Sequence, residues 1–142
     1  MSYRFLLILY LFCSVMAMVI SACTLSQLII RDALTTAMGG YAGADSINCG
    51  VVPIGGAPEA ANRCIDAAYE AKQAFTVRYN LPGIDSLIAE GLASNRQGEV
   101  RAYNYDSDPS GGSHAGERVY ERPCQTIKPV FDVQGKRRGC EP

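Results

Sequence analysis

The chain predicts an α+β domain: one main helix packed on a small antiparallel sheet, held by two disulfides. Three observations carry this. Residues 58–73 have the apolar spacing of a single amphipathic helix, residues 75–80 alternate cleanly between apolar and polar side chains with a second strand reading at 99–106, and Cys49, Cys64, Cys124 and Cys140 form an even set in a small domain.

The helix has its start signals. Pro58 suits a first turn, where a missing N–H costs nothing, and Glu59 complements the positive helix end. Ala61, Cys64, Ile65, Ala68 and Phe75 fall on one side, with Arg63, Asp66, Glu70 and Lys72 mostly on the other. An alanine-rich face lets such a helix approach a sheet closely. Before it, Val51 and Val52 read as a brief extended segment.

After the helix, Phe75, Val77 and Tyr79 alternate with Thr76, Arg78 and Asn80, the pattern of a half-buried strand. Pro82-Gly83 fits the centre of a type II turn. Residues 84–94 carry a helical period at Ile84, Leu87, Ile88 and Leu92. Gly91 interrupts it, and residues 95–98 read as a hairpin loop, so a strand is expected. In residues 99–106, Val100 and Ala102 face one way and Arg101, Tyr103 and Tyr105 the other. A turn-rich loop at 107–116 leads to a returning strand, 117–122, with Arg118, Tyr120 and Arg122 on one face and Pro123 ending it. Ile127, Val130, Phe131 and Val133 mark a short edge strand despite Pro129, and residues 135–140 form a basic tail stapled by disulfide. One helix followed by three to five such strands makes a meander with the helix on one face.

The N-terminal stretch has a different character. One positive charge, Arg4, precedes an uncharged apolar run from Phe5 to Ile20, which ends in the small residues Ser21 and Ala22. This is the layout of a secretory signal peptide. Ile20-Ser21-Ala22-Cys23 resembles the lipobox of bacterial lipoproteins. The resemblance covers the first 23 residues alone. It implies cleavage before Cys23, a diacylglyceryl group on the Cys23 thiol and an acylated amine, giving a membrane anchor of two or three chains. Thr24, which is not aspartate, is compatible in that family's sorting logic with the outer membrane, facing the periplasm. Residues 24–30 are apolar for a tether. Leu25, Leu28, Ile29, Ala33 and Leu34 fall at spacings of three and four, so residues 24–38 read as a short amphipathic helix at the membrane surface or the tail of an uncut anchor. A flexible glycine-rich stretch follows at 38–44. Phe5 to Ile30 is long enough to span a bilayer, so an uncleaved signal anchor is the competing reading.

The expected organisation is a signal peptide at 1–22, a lipidated, partly apolar and glycine-rich tether at 23–44, and the folded domain at 45–142. Of six cysteines, Cys13 leaves with the signal peptide and Cys23 carries lipid. Four cysteines allow three pairings. Cys49–Cys64 and Cys124–Cys140 join near neighbours, and each closes a loop of about 15 residues, worth about 3 kcal/mol in the chain-entropy model. Zinc prefers close pairs such as C-x-x-C, which are absent, so no metal and no cofactor is expected. With 13 basic against 14 acidic residues, nothing suggests a nucleic-acid partner.

Two places could carry function. Asp106, Asp108, Ser110, Ser113 and His114 gather in the 106–116 loop, where a hydrolase or metal-dependent enzyme could be centred. His114 is the chain's only histidine, no G-x-S-x-G motif is present, and such loops usually bond their own backbone. The other is a surface of Arg101, Tyr103, Tyr105, Arg118, Tyr120 and Arg122, residue types enriched at binding hot spots, provided the register aligns the two strands. The expected activity is therefore non-enzymatic. It is an envelope lipoprotein that binds an envelope protein or glycan, or supports an assembly, with its lipid anchor in the membrane.

Overall fold

The computed structural model describes residues 32–111, 116–132 and 135–141. The residues read as signal peptide and lipobox lie outside these residues, as do Ser113 and His114. Among the described residues, no helix is long and apolar enough to cross a membrane.

The order of elements is α1 (Ala33–Ala42), β1 (Ile47–Val52), α2 (Glu59–Glu70), β2 (Phe75–Leu81), β3 (Ile88–Ser94), β4 (Val100–Asp106), β5 (Arg118–Cys124), β6 (Thr126–Asp132) and β7 (Gly135–Glu141). Strands β1 to β5 form one sheet in sequence order, and β6 and β7 pair as a separate ribbon. The expectation of one main helix on a small antiparallel sheet is overturned. The described residues are mostly β with two short helices, and the five-stranded sheet is mixed because β1 runs parallel to β2. A parallel pair needs a crossover, and α2 is that crossover.

The other correction concerns the tether. Residues 33–42 form a helix that packs on the sheet and runs into the stretch, 38–44, read as flexible. The reason is positional. Gly39 and Gly40 occupy the exposed side of α1, leaving Leu34, Met38 and Ala42 buried at helical spacing. Asp32 caps the helix, its carboxylate accepting from the Thr35 N–H at 2.9 Å, and pairs with Arg78 of β2. Burial pushes the Asp32 carboxyl up, but the Thr35 and Arg78 bonds outweigh it and hold the pKa below the usual range. Gly43, with φ of +89°, ends the helix.

Each face of the sheet has its own core. Phe75, Val77 and Tyr79 of β2, with Leu92 of β3 and Ala102 of β4, pack against Ala61, Ile65 and Ala68 of α2. The opposite face presents Ala89, Ala93, Tyr103 and Tyr105 to Leu34, Met38 and Ala42 of α1. Directly beneath α1, β3 reads Ala89, Gly91, Ala93, a strip of small residues that lets the helix settle close. A Cβ on Gly91 would lie 2.2 Å from the Met38 sulfur.

Both disulfides follow the near-neighbour pairing. Cys49–Cys64 ties β1 to α2, and Cys124–Cys140 ties the end of β5 to β7. The basic segment 135–140 is strand β7 rather than a tail. It is held to β3 of the sheet through Arg137 to Glu90 at 2.7 Å and to α2 through Arg138 to Asp66 at 2.5 Å. Pro123 does not end β5. It pairs in register with Arg101 on an edge strand, where a missing N–H is tolerated.

Two alanine substitutions should act in opposite directions. Gly39→Ala, in open space on α1, should stabilise by about 0.5–1 kcal/mol through the lost backbone freedom of glycine. Gly91→Ala should destabilise by about 1–3 kcal/mol by overpacking. Denaturant midpoints at unchanged slope check both.

Candidate binding groove

The two helices run in the same sense across opposite faces. The first turn of α1 meets the end of β4 and the start of β5, since the Ala33 N–H faces Glu117 and Asp32 faces Arg78. Its last turn meets the β3–β4 hairpin, where the Tyr41 hydroxyl donates to the Glu99 carbonyl at 3.3 Å. The last turn of α2, carrying Tyr69, reaches this same end before the chain turns into β2.

Here two adjoining concavities, of about 380 Å³ and 300 Å³, share Tyr69 and Gly98. Tyr41, Glu99, Arg101 and Gln125 line the larger, and Lys72, Ser94 and Gln97 the smaller. Their wall is pre-shaped. The Asn95 side-chain oxygen accepts from the Gln97 and Glu99 N–H groups at 3.0 Å each, and its amide nitrogen donates to Tyr41 at 3.2 Å and Glu99 at 2.9 Å. The Arg101 guanidinium lies 4.6 Å from the centre of the Tyr41 ring and pairs with Glu121 at 2.6 Å. Lys72, at the groove's lip, is the one non-glycine residue with positive φ among those described, at +52°.

The tyrosine–arginine surface is not assembled as one patch. In the β4–β5 register Tyr103 stands opposite Glu121 and Tyr105 opposite Val119, while Arg118, Tyr120 and Arg122 stand opposite Asp106, Asn104 and Ala102. The two triplets therefore point to opposite faces. Tyr103 and Tyr105 lie buried beneath α1. Arg118, Tyr120 and Arg122 are exposed on the other face, and Arg122 donates to the Cys140 carbonyl at 3.3 Å. Only Arg101 of the six lines the groove. Tyr41 and Tyr69 were missed. Tyr41 sat in the supposed tether, but Tyr69 had a legible signal, an aromatic ring among the charged residues of the outer helix face.

In the 106–116 loop, Asp106 accepts from the Asp108 N–H at 3.0 Å and Asp108 from the Ser110 N–H at 3.4 Å, the self-bonding of a turn. Among the described residues, no group of three or more His, Cys, Asp or Glu side chains could hold a metal ion. The chain matches no protein-family model, no curated protein and no solved structure.

Three phenols are pushed up to about 12. Burial is the main cause for Tyr79, Tyr103 and Tyr105, with Glu121 adding at Tyr103 and a 2.8 Å bond to Glu117 adding at Tyr105. Below pH 10 these groups are neutral both folded and unfolded. Between 10 and about 12 only the unfolded chain ionises, so stability should fall over that window. Phenolate absorbance should show a late step coincident with unfolding, and Tyr103→Phe should shrink it.

Proposed function

We propose that the chain is a lipid-anchored lipoprotein of the bacterial envelope whose domain binds its ligand without chemistry, in the groove at the β3–β4 hairpin. The observation that carries this reading is the separation of the two ends. The chain leading back to Cys23 joins the domain at Asp32, at the first turn of α1. The groove sits at the last turn, about 15 Å away for a ten-residue helix. A domain held by lipid at Cys23 is thus joined to its anchor at the end opposite the groove, which leaves the groove free to face away from the membrane. The paired disulfides support an oxidising compartment outside the cytoplasm.

The groove's chemistry favours a glycan. Tyr41 and Tyr69 offer aromatic faces, and Gln97, Gln125, Glu99, Arg101 and Lys72 offer planar or flexible polar groups for hydroxyls. No nucleophile–base pair is needed for that role.

The address is tested by the intact mass of the native protein, before and after reduction and alkylation. A mass for residues 23–142 plus acyl chains, with four cysteines labelled only after reduction, is expected. A mass for the full 142 residues would mean an uncut anchor and would end the lipoprotein reading. The groove is tested by titrating soluble cell-wall glycan fragments. Tyr69→Ala should weaken binding about tenfold, or ~1.4 kcal/mol, whereas Arg122→Ala should leave it unchanged. No binding by any fragment would remove the glycan.

A further inference from the structure

We propose that the anchor-side end of the sheet is a lipid-docking rim, in which Ile54, Ile84, Leu87 and Phe131 lie in the interface of the bilayer that holds the protein. The proposal rests on the lipid-anchored reading above and adds a second, reversible contact to it.

The rim is a consequence of topology. Strand β1 ends at Val52 beside Tyr79 of β2, so Ile54 lies just past that end of the sheet. Ile84 and Leu87 belong to the loop joining β2 to β3 at the same end, and Leu87 exchanges bonds with Ser107 in the loop after β4. Phe131 faces Lys136 at the end of the ribbon where β6 leads into β7. That end is fixed to the start of α2 by the Asn62 side chain, which donates to the Lys136 carbonyl at 2.8 Å. All four side chains are exposed, Ile54 by 55%, Leu87 by 63%, Phe131 by 75% and Ile84 by 104%. Among the described residues, the other exposed large apolar side chains are Ile47 and Tyr69 at the far end and Val51 and Tyr120 along edge strands.

The length of chain outside the structure says what covers the rim. Eight residues, 24–31, separate Cys23 from Asp32, which lies at this end. Fully extended at ~3.3–3.6 Å per residue, they reach about 30 Å and no further. Lipid on Cys23 therefore keeps Asp32, and the rim beside it, within reach of the bilayer surface. Apolar side chains so placed sit about 5–10 Å into the headgroup and acyl boundary. The charges here do not favour an anionic surface, since Asp85, Asp108 and Glu117 accompany the Asp106–Arg118 cross-strand neighbours and Lys136. Contact with zwitterionic lipid through apolar side chains is the mode this composition fits.

The chain has no tryptophan, so single substitutions give clean reporters. Full-length lipidated protein carrying Ile84→Trp, Phe131→Trp or Tyr69→Trp would be reconstituted into phosphatidylcholine vesicles, with and without brominated acyl chains. Emission from the two rim positions should shift to the blue and be lost to bromolipid, while the Tyr69→Trp protein should show neither effect. Rim emission equal to that of Tyr69→Trp, in protein that still sediments with vesicles, would overturn the rim and leave the anchoring intact. A blue shift without bromolipid quenching would place the rim against protein and also overturn it. Failure to sediment with vesicles would remove both readings.

Discussion

The approach of α1 to β3 is the contact on which the rest of the domain depends. Ala89, Gly91 and Ala93 leave a shallow track on the sheet, and Met38 lies over its lowest point. Because the helix sits low, it covers Tyr103 and Tyr105 on the neighbouring strand and brings Asp32 within reach of Arg78. Larger side chains along the track would lift the helix, expose two tyrosines and separate the ion pair at its cap. Interiors packed to crystal-like density respond to such changes as a unit.

A sheet covered on both faces keeps its least encumbered surface at its ends. One face carries α1. The other carries α2 and the β6–β7 ribbon, which is held by a disulfide and two arginine–carboxylate pairs. What remains are the two sets of loops, and they differ in kind. One carries Ile54, Ile84 and Leu87 and lies at the end where Asp32 begins α1. The other is tyrosine-lined, hydrogen-bonded into a fixed shape and turned away. The division follows from helices that begin at one end and finish at the other.

Much of this was legible from residues. The α2 helix, the alternation of β2 and β4, the hairpin at 95–98 and both disulfides follow from local patterns that the tertiary structure preserves. The helical period through Ala33 and Leu34 was legible, but the continuation of that helix to Ala42 was not, because its glycines resemble a linker. Only the sheet beneath reveals that they face solvent while Leu34, Met38 and Ala42 carry the packing. The parallel pairing of β1 was hidden because a short apolar run does not announce its partner. The tyrosine–arginine surface failed on register. Each triplet shares a face of its own strand, but the β4–β5 pairing sets the two triplets on opposite sides, and period-two alternation makes a one-residue offset decisive. The groove required three separated segments to meet, which no local pattern encodes.

The Asp32–Arg78 pair also defines how the domain bears force. Any pull arriving through residue 31 reaches the fold first at the helix cap, and Arg78 passes it into β2, a strand hydrogen-bonded on both sides. Load is thus taken by an interior strand in place of an edge that could be stripped away. The Cys49–Cys64 link then passes it from β1 to α2. The hairpin that frames the groove, at the far end of α1, stays out of the path of that strain.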